Sequence, residues 1–151
     1  MKPLPKHLAS TLLAASLATL TSTTFAAPIP DDAKIAGFAV GCQAYTFKEF
    51  TAFEAIEKTA QAGGKIIEFF PGHKLSAEHP EAKTDHNLSD ELIEILKAKL
   101  AKHGVRAVNY GVVGGKDEAE WRKIFEFAKK MNLYAVTTED TANIDIIEKL
   151  V

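Results

Sequence analysis

Four polar residues recur near the ends of apolar runs in this 151-residue chain, and they are the strongest candidates for chemistry. Glu68 is the most informative of them, because it interrupts the apolar run from Ile66 to Phe70. A buried carboxylate without a partner is costly, so Glu68 must find a polar neighbour, a metal ion or a substrate hydroxyl. Contact with a substrate and a purely structural role both stay open for it. The four residues are Gln43, Glu68, Asn109 and Glu139.

The loops that follow these runs carry further candidates. Tyr45 comes just after Gln43, and His73 directly follows the Pro71-Gly72 break, where its side chain can face the strand ends. We expect the other two histidines of that loop, His79 and His86, to be solvated, because their spacing matches no pattern of metal ligands. For Glu139, a loop position also allows simple exposure or helix capping.

Composition and charge narrow the classes of function. The 18 basic and 20 acidic side chains are interspersed and give a net charge of −2, which argues against a nucleic-acid partner. The single cysteine, Cys42, cannot form an internal disulfide or a thiolate metal cluster. It lies within an apolar run, where we expect it to pack rather than to act as a nucleophile.

The first 26 residues have the three parts of a secretory signal peptide. Lys2 and Lys6 give the positive start, Leu12 to Leu20 is a short apolar stretch, and Thr24-Phe25-Ala26 offers small residues for cleavage before Ala27. We expect a signal peptide at 1–26, a linker at 27–35 and a folded domain at 36–151. The mature chain is then periplasmic or secreted, with no membrane association after cleavage.

Beyond the linker, short apolar runs alternate with helical patterns. Each helix begins with a residue that can cap its first turn, and two of these have a glutamate three residues later. Strands are predicted at 38–42, 66–70, 105–113 and 133–138, and helices after Thr51, Ser89, Asp117 and Asn143.

Strands that are apolar on both faces and alternate with helices indicate an α/β fold with a parallel sheet. One strand–helix unit takes roughly thirty residues, so eight would make a (β/α)₈ barrel, and four are present. Either the chain is a complete open sheet, or it is the N-terminal half of a TIM barrel. Because the sequence stops inside its fourth helix, we expect the half barrel, about four βα units of a truncated sequence.

The motifs at the strand ends, taken in order, resemble one family. The runs Gly41–Phe47, Ile67–Ser76, Val108–Gly114 and Thr137–Glu139 are similar to those of the sugar phosphate isomerase/epimerase family. These are xylose isomerase-like TIM barrels, a superfamily that also includes the family 2 apurinic endonucleases. The resemblance covers about residues 36–151.

This resemblance implies a sugar isomerase or epimerase that moves a proton on a carbohydrate. A divalent metal ion is often present in such barrels, and its ligands would come mostly from beyond Val151, so this chain alone is expected to be inactive. The resemblance implies catalytic roles for Glu68 and Glu139, and substrate-binding roles for Gln43, Tyr45, His73 and Asn109. His73 stands where relatives commonly have glutamine.

Two other functions stay open. One is metal-dependent hydrolysis of phosphodiesters, against which the acidic mature chain argues, since removing the signal peptide takes the net charge to about −4. The other is a carbohydrate-binding barrel without catalysis.

Overall fold

The computed structural model describes residues 29–151, which form an α/β fold. Two 3₁₀ helices, Asp31–Ala33 and Ala44–Phe47, lie in its first third. The strands and helices follow in chain order: β1 Lys34–Ile35, β2 Phe38–Ala39, β3 Gly41–Gln43, α1 Ala52–Gln61, β4 Ile66–Phe69, β5 His73–Lys74, β6 Lys83–Thr84, α2 Asp90–His103, β7 Arg106–Tyr110, α3 Glu118–Lys130, β8 Ala135–Val136 and α4 Ile144–Leu150.

The central sheet has the order β3-β4-β7-β8, and all of its strands are parallel. Consecutive strands of this sheet are neighbours, and a helix connects each of them to the next. The helices pack against one face of the sheet, where Ile67 and Phe69 of β4 share a core with Ile56 of α1 and Trp121 of α3. The predicted α/β class with a parallel sheet is confirmed.

Local signals set the helix boundaries as the sequence predicts. Thr51 forms a full capping box with Glu54 at the start of α1. The side chains of Ser89 and Asp117 accept backbone N–H groups in the first turns of α2 and α3. At the end of α2, Gly104 takes a left-handed conformation with φ of 62°, which glycine adopts without steric cost.

Asn143 does not cap α4, contrary to the prediction from the sequence. Its side-chain amide instead donates to the carbonyl of Gly115 and to the carboxylate of Asp140. Asn143 therefore ties the start of α4 to the loop that leads into α3.

Two antiparallel hairpins depart from the predicted pattern. The run predicted as the first strand is divided: Phe38 and Ala39 pair with β1, and the parallel sheet is entered only at Gly41. The polar loop between β4 and α2 contains the second hairpin, in which β5 pairs with β6. No helix within residues 29–151 is long and apolar enough to cross a membrane.

Candidate functional site

Three polar side chains occupy equivalent positions on neighbouring strands at the carboxyl end of the sheet. Gln43 of β3 is the register partner of Glu68 of β4, and Glu68 is the register partner of Asn109 of β7. We call Gln43, Glu68 and Asn109 the polar row. Neighbouring parallel strands lie about 4.8 Å apart, so a ligand the size of one sugar ring can contact all three residues.

The polar row faces away from the helices. In β4, Ile67 and Phe69 are fully buried in the core, whereas Glu68 between them is half-buried on the opposite face. In β7 a register shift opposite Ile67 and Glu68 adds Val108 as an extra residue, and this β-bulge brings Asn109 onto the same face as Glu68.

Hydrogen bonds hold the amides of the polar row in place. Nε2 of Gln43 donates to the carbonyl of Gly111 (3.2 Å), and Oε1 accepts the N–H of Tyr45. Nδ2 of Asn109 donates to Oγ1 of Thr137 (2.7 Å). Oδ1 of Asn109 is buried and has no hydrogen-bond partner within residues 29–151.

Glu68 lies between these two fixed amides. Its carboxylate forms no salt bridge with a basic side chain of residues 29–151. A carboxylate flanked by amides can accept hydroxyl hydrogen bonds, and it can also take up a proton. The row therefore offers both the acceptors and the donors that a polyol needs.

Contrary to the prediction from the sequence, the fourth strand does not extend the polar row with Glu139. Ala135 of β8 is the register partner of Asn109, and Glu139 lies four residues further along in an exposed loop. Thr137 is not among the site residues predicted from the sequence, yet its hydroxyl accepts the hydrogen bond that holds Asn109. Thr137 follows Ala135 by two residues, a spacing that places both on one face of an extended chain.

His73 and Tyr45 lie beside the polar row in an aromatic stack. The ring of His73 packs on Phe70 with centroids 4.5 Å apart, and Phe70 meets Tyr45 edge to face at 5.1 Å. His73 is only 3% exposed, and its Nε2 donates to the carbonyl of Phe50 at 2.9 Å. Tyr45 is 55% exposed.

Burial of His73 predicts a pH-dependent stability. Burial lowers the pKa of its imidazole from the usual 6.5, and the carbonyls of Phe50 and Phe47 oppose this effect only in part. The unfolded chain therefore takes up a proton near pH 6.5 that the folded chain does not, so stability falls as the pH drops through that range.

We expect the free energy of unfolding to decrease from about pH 7.5 to about pH 5.5, above the range in which carboxylates titrate. Urea unfolding at each pH measures this, and His73→Gln should flatten the slope. Equal slopes for the wild type and His73→Gln would show that this imidazole titrates alike in both states.

His86 is not a solvated loop residue as predicted. Its side chain is 8% exposed, with Nδ1 3.2 Å from the hydroxyl of Tyr110 and Nε2 3.5 Å from a carboxylate oxygen of Glu120. Burial raises the pKa of Tyr110, so its hydroxyl stays protonated and can donate to His86. These contacts of His86 connect the loop before α2 to the end of β7 and to the first turn of α3.

Neither the cysteine nor the acidic and histidine side chains form a metal centre in the described part of the chain. Cys42 packs against the core, with Sγ 3.0 Å from Oγ1 of Thr59. Within residues 29–151, no group of three or more His, Cys, Asp or Glu side chains is placed to hold a metal ion. These residues do not by themselves fit the divalent metal that the resemblance implies.

Comparison with known proteins bears on the fold. No protein-family model matches the chain, and no curated protein matches it. It is similar to the crystal structure of an uncharacterised protein from Parabacteroides distasonis ATCC 8503, with 32% sequence identity and a TM-score of 0.68 over 72% of this chain. The chain spans 46% of that protein, so the α/β fold described above is similar to one part of a longer structure.

Proposed function

We propose that this chain is the N-terminal half of a xylose isomerase-like (β/α)₈ barrel that binds a carbohydrate at the carboxyl ends of its strands. The observation that carries the proposal is the polar row, in which Gln43, Glu68 and Asn109 share one register across three parallel strands. In parallel α/β barrels, the reacting groups lie at this end of the sheet.

The proposed reaction is a proton transfer between neighbouring carbons of a sugar. Glu68 takes the proton from the carbon next to the carbonyl, and the electron pair left behind forms the carbon–carbon double bond of an enediolate, with the negative charge on the former carbonyl oxygen. Return of the proton from Glu68 to the former carbonyl carbon completes an isomerisation, while the hydroxyl proton of the first carbon moves to the former carbonyl oxygen. Asn109 and Gln43 orient the sugar oxygens, which keeps the reacting carbon near Glu68.

Return of the proton to the opposite face of the same carbon would instead invert its configuration. That step needs a second acid, for which Glu139 is the candidate on this chain. No step proposed here passes through a metal ion. In the full barrel, the second half would complete the wall around the sugar and supply any further acids.

Binding of glucose to the full chain tests this proposal. In a proton–nitrogen correlation titration, we expect the side-chain amide signals of Gln43 and Asn109 to shift together as glucose is added. Side-chain amide signals of Gln61 and Asn132, both exposed at helix ends, serve as controls and should stay in place. If the signals of the polar row do not move at any glucose concentration, the proposal is wrong.

Catalysis is tested separately from binding. Incubation of glucose with the full barrel in deuterated water should place deuterium on the carbon next to the carbonyl if Glu68 transfers a proton. Binding without deuterium uptake in the full barrel would favour the carbohydrate-binding protein without catalysis. The row consists of two amides and one carboxylate, which suits either outcome.

We also propose that the protein is exported. The signal peptide predicted at 1–26 lies outside the residues that the structure describes. We expect the mature protein to begin at Ala27 when the chain is expressed in a bacterium with its own leader. N-terminal sequencing of the periplasmic fraction measures this directly. An intact Met1 in a soluble cytoplasmic product would contradict export.

A further inference from the structure

A groove of about 470 Å³ opens at the same end of the sheet as the polar row. One wall is the loop between the second 3₁₀ helix and α1, and the other is the turn between β4 and β5. We call this the rim groove. The residues that decide its chemistry are Lys48, Glu49, Glu54, Phe70, His73 and Lys74.

The charges that line the rim groove cancel. Lys48 and Lys74 contribute two ammonium groups, and Glu49 and Glu54 contribute two carboxylates. His73 is neutral near pH 7, because burial lowers the pKa of its imidazole. A groove without net charge gives little attraction to a charged ligand over a neutral one.

The part of the groove that would best bind an anion is occupied by a carboxylate of the protein itself. The N-terminus of α1 borders the groove, and helix N-termini bind phosphate through free N–H groups and the helix dipole. The carboxylate of Glu54 lies there, accepting the N–H and the hydroxyl of Thr51 at 2.8 Å each. These hydrogen bonds lower the pKa of Glu54, so it is ionised and repels a second anion.

An exposed aromatic ring flanks the groove. Tyr45 rests edge to face on Phe70, which lines the groove, and Nζ of Lys48 lies 4.9 Å from the centre of the Tyr45 ring. The face of an aromatic ring carries partial negative charge, which attracts the weakly positive C–H groups on the flat side of a sugar ring. Ammonium and carboxylate groups beside it can bind hydroxyls.

We propose that the rim groove is a subsite for a neutral, unphosphorylated sugar unit that packs on Tyr45. This rests on the proposed function, since it takes the ligand of the polar row to be a carbohydrate, and it narrows the substrate class to neutral sugars. The backbone N–H of Tyr45 donates to Gln43, which connects the subsite to the polar row.

A titration of the full chain with glucose and with glucose 6-phosphate at equal ionic strength tests the subsite. We expect glucose to shift the backbone amide signals of residues 48–51 and 72–74. Glucose 6-phosphate should bind at least about tenfold more weakly, because the ionised carboxylate of Glu54 occupies the N-terminus of α1, where the phosphate would otherwise bind. Glu49→Gln gives the groove a net positive charge and should narrow that difference.

Tyrosine variants test whether glucose binds at the rim groove or elsewhere on the surface. Tyr45→Ala should weaken glucose binding by about tenfold, while Tyr45→Phe should keep it, because the ring is the contact. Tyr134→Ala is the matched control, since Tyr134 is 57% exposed and lines a different cavity. Equal effects of Tyr45→Ala and Tyr134→Ala would overturn the subsite.

The two proposals fail in different ways. Shifts of the Gln43 and Asn109 side-chain amides without shifts at 48–51 and 72–74 would overturn the subsite and leave the proposed function standing. Glucose 6-phosphate binding in the groove as tightly as glucose would overturn the neutral-sugar assignment alone. Absence of shifts in both regions would contradict the proposed function, and the subsite with it.

Discussion

Replacing Gly41 by alanine should cost the fold about 3 kcal/mol or more, a large part of the stability of a domain this size. Gly41 pairs with Ile66, and a Cβ at Gly41 would meet the carbonyl oxygen of Ile66 at 1.9 Å and its side chain at 2.5 Å. The obstacle is the backbone of the neighbouring strand, so relief requires β3 to move away from β4. Urea unfolding followed by circular dichroism measures the loss.

Gly114→Ala is the matched control for this substitution. A Cβ at Gly114 has its nearest neighbour at 3.9 Å, in the side chain of Asp140, which is ordinary contact. We expect its unfolding midpoint to stay close to that of the wild type. Equal midpoints for Gly41→Ala and Gly114→Ala would show that β3 and β4 do not approach each other so closely.

Glu68→Gln should weaken sugar binding by about tenfold or more while leaving the melting temperature unchanged. Glutamine keeps the shape of the side chain and removes the charge, and a hydrogen bond to a charged group contributes about 1.5–3 kcal/mol. Tenfold corresponds to about 1.4 kcal/mol. The dissociation constant comes from the glucose titration, and in a full barrel the same substitution should lower turnover by at least as much.

The alternative role of Glu68 gives the opposite pair of results. If the carboxylate is structural, Glu68→Gln lowers the melting temperature and leaves the affinity of the folded molecules unchanged. Glu126→Gln, at an exposed position of α3, is a control for the loss of one negative charge and should change neither quantity. The melting temperature and the dissociation constant for glucose together decide whether Glu68 binds the sugar or stabilises the fold.

The helices could be predicted from the sequence because their signals are local. Thr51 with Glu54, and Gly104 after α2, act within a few residues of the boundaries that they set. In α3 the buried residues Trp121, Ile124 and Phe127 recur at every third position, a helical spacing that is visible in the sequence of this segment alone. Such patterns depend on helix geometry, which a single segment reveals.

Features that depend on distant pairing could not be predicted in the same way. The half-buried position of Glu68 among apolar neighbours followed from its run, but the place of Asn109 beside it depends on the bulge at Val108. The sequence predicts Glu139 near the end of the fourth strand, but β8 ends at Val136, because its length is set by pairing with β7 and not by its own residues. The burial of His86 depends on Tyr110 and Glu120, which are remote in sequence.

The bulge in β7 decides which face of the sheet Asn109 occupies. Asn109 lies three positions after Arg106, whereas its partner Glu68 lies only two after Ile66, and the bulge at Val108 accommodates the extra residue so that Asn109 still pairs with Glu68. Without the bulge, Val108 would pair with Glu68, and Asn109 would turn to the face of the sheet that the helices cover. Homologous sequences that keep this site should therefore either carry one bulge residue at the position of Val108 or lack that residue, since the equivalent of Asn109 pairs with the equivalent of Glu68 in both cases.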